Sequence, residues 1–139
     1  MRELDKLAEY LHKIEMPFMQ YECNKTFDEK DLIFTLDRHQ ICVPDQDTPV
    51  WDVICQYGSI GYKEGLLEAY GAIVDEEEDG DCVVGYLTAD DVIARMKKYH
   101  VHDVRDMLHR MNKEYPSKTT KMLQVLDETH PMNVDCGWR

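Results

Sequence analysis

The hexapeptide Pro44-Asp45-Gln46-Asp47-Thr48-Pro49 constrains this chain more than any other stretch of it. Proline has no amide hydrogen for a strand or a helix interior, and aspartate side chains bond to nearby backbone in turns, so no regular element passes through. On either side stand β-branched and aromatic runs, residues 39–43 and 50–56. Two such runs joined by a turn of this composition read as an antiparallel hairpin. A hairpin is marginal alone and needs further strands or helices over its apolar face.

Those partners are visible in the periodicity. Leu4, Leu7, Ala8, Leu11 and Ile14 recur at three- and four-residue spacing, predicting an amphipathic helix over 2–15 that Pro17 ends. From Phe18 the period shortens to two: Met19, Tyr21 and Cys23 alternate with polar residues, and Leu32, Phe34 and Leu36 form a second short series, both read as strands. Leu66, Leu67, Tyr70, Ile73 and Val74 return to helical spacing and predict a helix over 62–72. A strand over 82–87 follows. Thr88-Ala89-Asp90-Asp91 then starts a helix, with Thr88 as N-cap, Asp91 in the reciprocal capping position, and Val92, Ile93, Met96 and Tyr99 turned inward. Two more helices are expected, over 102–114 with Val104, Met107, Leu108 and Met111 on one side, and over 118–129 with Met122, Leu123, Val125 and Leu126.

This order predicts an α+β domain: a small, mostly antiparallel sheet with packed helices and a C-terminal helical extension. The body covers 1–99 and the extension 100–139, together one compact unit. The extension can fold back onto the body or pair with its copy in a homo-oligomer, and the Cys136-Gly137-Trp138-Arg139 end reads as a docked terminus or an oligomer contact.

Charge narrows the function. The chain has 28 acidic and 16 basic side chains, a formal net charge of −12. Residues 1–91 hold 22 acidic against 7 basic (−15), and residues 92–139 hold 6 against 9 (+3). A net anion is repelled by phosphates, so the acidic body is excluded as a direct nucleic-acid binder. The densest run is Asp75-Glu76-Glu77-Glu78-Asp79-Gly80-Asp81, read as a solvated loop that offers Asp75, Glu76, Glu77, Glu78, Asp79 and Asp81 to a basic partner. It imitates the start of a calcium loop, but the twelfth position is Tyr86, where a bidentate glutamate is required. With no long apolar run and no signal peptide, a cytosolic protein without membrane contact is expected. The five cysteines, Cys23, Cys42, Cys55, Cys82 and Cys136, include no CxxC pair and read as reduced thiols. Cys42 and Cys55 fall on adjacent expected strands, close enough in principle to approach each other.

One segment has the composition of a binding turn. Around Tyr57-Gly58-Ser59-Ile60-Gly61-Tyr62-Lys63 a strand runs into a glycine turn and then the expected helix, so backbone N–H groups and a helix N-terminus would converge, aided by Ser59 and Lys63. With Tyr57 and Tyr62 for stacking and Arg38 for charge, the set Arg38, Tyr57, Gly58, Ser59, Gly61, Tyr62 and Lys63 could take a small phosphorylated or nucleotide-like anion. It has neither P-loop nor dinucleotide spacing. The simpler reading of the same residues is a glycine turn whose Ser59 or Gly61 caps the helix. His102, Asp106 and His109 share one helix face, a spacing able to hold a metal but equally a solvated polar face, and no metal is assigned. No motif calls for a cofactor, and no base is placed beside a thiol for nucleophilic catalysis.

The block over 51–71, followed by Val84-Gly85-Tyr86-Leu87-Thr88-Ala89-Asp90-Asp91-Val92-Ile93, resembles small uncharacterised proteins of phages, prophages and mobile elements from gut Firmicutes. The resemblance covers the middle third of the chain. It implies a bacterial host cytosol and an accessory role toward a host protein, counter-defence among them. The leading expectation is therefore a non-enzymatic protein whose acidic surface binds a basic site on a host protein. The alternative is a small-molecule binder built on the Gly58–Gly61 turn.

Overall fold

The computed structural model describes residues 1–29 and 32–115. Its centre is a five-stranded antiparallel sheet of β1 (Met19–Glu29), β2 (Leu32–Val43), β3 (Trp51–Ile54), β4 (Leu67–Gly71) and β5 (Val83–Leu87). Each strand lies beside its neighbour in sequence. Helices α1 (Glu3–Lys13), α2 (Glu76–Asp79), α3 (Ala89–Lys98) and α4 (Val104–Glu114) complete the α+β architecture.

The hairpin forms where the proline-bounded turn requires it. Val43 stands opposite Trp51, the Val50 amide donates to the Val43 carbonyl at 2.7 Å, and the Thr48 amide and hydroxyl both donate to Asp45 Oδ1. Alternation then sorts the side chains. Ile41, Val43, Trp51, Val53, Leu67 and Ala69 join the core with Leu4, Leu7 and Leu11 of α1 and Val92 and Met96 of α3. Arg38, Gln40, Cys42, Asp52, Glu68 and Tyr70 occupy the other face. Cys42 and Cys55 therefore lie on opposite sides of the sheet, not beside each other. The expected capping box is present: Thr88 Oγ1 accepts from the Asp91 amide and Asp91 Oδ2 from the Thr88 amide. Glu3 of α1 adds a third acceptor, taking the Ala89 amide at 2.8 Å.

Three expectations are corrected. The helix over 62–72 is instead a 3-10 turn, Tyr62–Glu64, followed by β4. Gly61 and Gly65 are both left-handed, with φ of 94° and 71°, so they stop the helical turn after three residues. Leu67 and Ala69 then alternate with Glu68 and Tyr70 as a strand must. The two short runs over 32–36 and 39–43 are one continuous β2, in which Asp37 and Arg38 pair with Asn24 and Cys23. The acidic run is a helical turn rather than a loop, with Asp75 as N-cap and left-handed Gly80 as C-cap.

α4 begins the extension. Met107, Leu108 and Met111 join the same core as the sheet, so this helix packs on its own body. The expected helix over 118–129 and the Cys136–Arg139 end lie outside the described residues. Among those described, no helix is long and apolar enough to cross a membrane.

Candidate functional site: an aromatic corner over two carboxylates

The glycine turn between β3 and β4 is held from below by the chain's own acids. The Tyr57 amide donates to both oxygens of Asp37, at 3.2 and 3.1 Å, and the Ile60 amide donates to Glu68 Oε1 at 2.9 Å. Ser59 closes the turn locally, its hydroxyl donating to the Gln56 carbonyl at 2.7 Å and accepting from the Gln56 amide at 3.0 Å. The Ser59 and Tyr62 amides donate to the carbonyls of Gln56 and Ser59. Four amides of the turn, those of Tyr57, Ser59, Ile60 and Tyr62, therefore serve internal carboxylates and carbonyls, and a three-residue 3-10 turn stands where a helix N-terminus was expected. The helix N-terminus expected beside Gly58, Ser59 and Gly61 is thus corrected to a turn anchored on internal acceptors.

Both carboxylates are themselves fixed. Glu68 is 4% exposed, and its second oxygen accepts from the Tyr70 hydroxyl. Asp37 Oδ2 lies 3.6 Å from His39 Nε2. His39 is bonded through Nδ1 to Glu22 and through Nε2 to Asn24 Oδ1, while its amide donates to Gln56 Oε1 at 3.1 Å. β1, β2 and Gln56, just after β3, are thereby tied together.

Above the carboxylates the surface is aromatic. Tyr57 is 69% exposed, Ile60 41%, Tyr62 40% and Tyr86 61%, and apart from Met1 these are the exposed large hydrophobic side chains of the described residues. They converge. The Tyr57 and Tyr62 rings meet edge to face, centroids 6.1 Å apart at 74°. Ile60 lies directly over Gly85 of β5, and Gly61 is pressed against the Tyr86 backbone so closely that a Cβ there would stand 3.1 Å from Tyr86 N. Lys63 and Glu64 are exposed beside the rings.

Tyr57, Gly58, Ser59, Gly61, Tyr62 and Lys63 lie along this one turn, whereas Arg38 is committed elsewhere. Its guanidinium lies 3.9 Å over the Tyr21 ring and Nε donates to Gln40 Oε1 at 2.8 Å. Gln40 in turn donates to Asp52 Oδ2 at 2.8 Å, and burial, with the Glu68 charge added, raises the Asp52 carboxyl above its ordinary value. Ile60, Tyr86, Asp37 and Glu68 were missed. Gly85 was the available signal, since an isolated glycine inside a strand marks a close approach, here Ile60.

The acidic run divides in two. Asp79 receives a two-pronged ion pair from Arg95, at 2.9 and 3.0 Å, which holds its carboxyl below the usual range, and Glu78 pairs with Lys98. Asp75 caps α2 through the Glu77 amide, and Asp81 accepts from the Cys82 amide. Glu76 and Glu77 stand exposed at the surface.

Other chemistry finds less support. Burial pushes the Cys42 thiol up to about 12 and raises that of Cys55, while Asp81 raises that of Cys82, the opposite of nucleophile activation. The His102, Asp106, His109 face is broken up. His102 is bonded to the Tyr10 hydroxyl, while Asp106 and His109 line a cleft of about 600 Å³ with Tyr99, His100 and Arg110. Among the described residues no group of three His, Cys, Asp or Glu side chains is placed to hold a metal.

Comparison with protein-family models, with curated proteins and with solved structures finds no match to this chain.

Proposed function

We propose that this is a non-enzymatic binding protein that docks on a basic surface of a partner protein, with the aromatic corner as its anchor and the acidic body as its guide. The observation that carries this reading is the convergence of Tyr57, Ile60, Tyr62 and Tyr86 at one corner of a body whose first 91 residues sum to −15. Tyrosine supplies large contact area at low entropy cost and is enriched among the residues that dominate binding energy. The acidic surroundings steer a basic partner and repel an acidic one. The resemblance to small phage and mobile-element proteins supports a bacterial host protein as that partner and an accessory, counter-defence role. The small-anion alternative is disfavoured by the internal carboxylates on the Tyr57 and Ile60 amides.

Affinity capture from a bacterial lysate tests the reading. The wild-type chain should retain a specific basic protein, and Tyr57→Ala/Tyr86→Ala should lose it while staying folded. Glu76→Gln/Glu77→Gln should weaken capture chiefly at low salt, because screening is strong beyond about 10 Å at 0.1 M. Identical retention by wild type and the tyrosine variant would dismiss the corner as anchor.

A further inference from the structure

We infer that the aromatic corner grips a cationic side chain of the partner, an arginine in preference to a lysine. The inference rests on the protein-binding reading and specifies what that site holds. The Tyr57 and Tyr62 rings meet nearly at right angles, Tyr86 abuts the turn through its backbone, and the Tyr57 ring stands exposed beside the second ring. A guanidinium stacks on such a face by planarity as well as by charge, and is less strongly hydrated than an ammonium. The turn that carries the rings rests on two carboxylates, Asp37 and Glu68, which accept the Tyr57 and Ile60 amides. Their charge reinforces the negative faces of the rings, and Glu64 adds a third carboxylate at the surface. Lys63 is the one base of the 56–66 segment, so it opposes an incoming cation rather than recruiting an anion. The chain already builds this contact once: Arg38 lies 3.9 Å from the Tyr21 ring centre.

The test uses the full chain and two kinds of probe. The first is a set of heptapeptides, Gly-Ser-Gly-X-Gly-Ser-Gly with blocked ends, where X is arginine, lysine, citrulline or norleucine. The second is hexa-arginine. Binding is followed by NMR at the tyrosine ring signals and the backbone amides. The arginine peptide should shift the rings of Tyr57 and Tyr62 with saturation in the millimolar range, and its own δ-methylene protons should move upfield over the ring. Lysine should bind more weakly, and citrulline, which keeps the shape and loses the charge, should not bind. Tyr57→Phe/Tyr62→Phe should retain affinity within about twofold, while Tyr57→Leu/Tyr62→Leu should lose roughly two- to fivefold per ring. Lys63→Gln should tighten binding. Citrulline or norleucine binding as well as arginine would overturn the inference in favour of plain apolar docking, as would unchanged arginine affinity in the leucine variant. If hexa-arginine shifts the amides of residues 76–81 and leaves the tyrosines untouched, this inference falls and the acidic binding reading stands. If it shifts nothing, both fall.

Discussion

The packing of Ile60 on Gly85 gives a sharp test of how the aromatic corner is held. Gly85 has an ordinary backbone conformation, so Gly85→Ala carries no penalty from φ and acts by volume alone. The added Cβ would lie 2.5 Å from Ile60 Cβ, closer still to Ile60 Cγ2, and 3.0 Å from the Ile60 carbonyl oxygen. Unstrained carbon contacts stand at about 3.5–4.0 Å, so the turn must move by roughly 1 Å. Overpacking of this size costs about 1–3 kcal/mol. The source of the cost is separable. Ile60→Ala removes Cγ2 but keeps the Cβ contact, whereas Ile60→Gly removes both. In urea denaturation, Gly85→Ala should therefore be relieved partly by Ile60→Ala and largely by Ile60→Gly, after subtraction of each single change. Additive costs in both pairs would show that Ile60 does not rest on Gly85, and the convergence of the four exposed side chains would lose its support.

Arg95→Ala should destabilise by about 2–4 kcal/mol, because one guanidinium ties Asp79 and the Ile73 carbonyl to α3. Arg95→Lys should recover only part of this in thermal melts, since lysine cannot reproduce the fork. Asp79 is held below the ordinary carboxylate value of about 3.9, so its contribution is present above that pH and lost as pH falls through its lowered value. Asp52 has the opposite sign: its raised carboxyl makes the fold more stable when protonated, and that stability is lost as pH rises from about 3.9 through the raised value. Asp52→Asn should accordingly be more stable than wild type at pH 7 and equal to it in acid, with chemical denaturation across pH as the measurement; equal stability at both would refute the burial argument. Thr88→Ala should cost about 0.5–2 kcal/mol, nearer the lower figure while Glu3 holds the Ala89 amide, and more when combined with Glu3→Ala.

Much of the fold was legible because its signals are local. The Pro44 to Pro49 turn, the Thr88 to Asp91 capping box and the α1 stripe each lie within a dozen residues, and each appears in the structure. The segment after Gly61 was misread because Leu67, Tyr70, Ile73 and Val74 match helical spacing as well as an irregular strand and turn do. Gly65, left-handed, decides between them, and a sequence does not reveal φ. The candidate site was half legible. Its tyrosines and glycines are contiguous, but the groups that occupy the turn amides come from Asp37, 20 residues before Tyr57, and from Glu68, 8 residues beyond Ile60. Tyr86 reaches the corner only through the β4–β5 pairing.

The sheet order β1-β2-β3-β4-β5 also shapes how the chain assembles. Every strand pairs with the one made just before it, so the sheet can grow as successive hairpins, each closing within about 1–10 μs. α1 reaches β1 through the Arg2–Glu22 ion pair and packs on the core side of the sheet, but it also packs on α3. Its Glu3 meets Ala89, 86 residues later, an interval of about 4 to 17 s at 5–20 residues per second of synthesis. An 11-residue helix is marginal in isolation. α1 is therefore made seconds before α3 and α4 can complete its packing, and through those seconds part of its leucine stripe is open to any chaperone that binds nascent amphipathic chain.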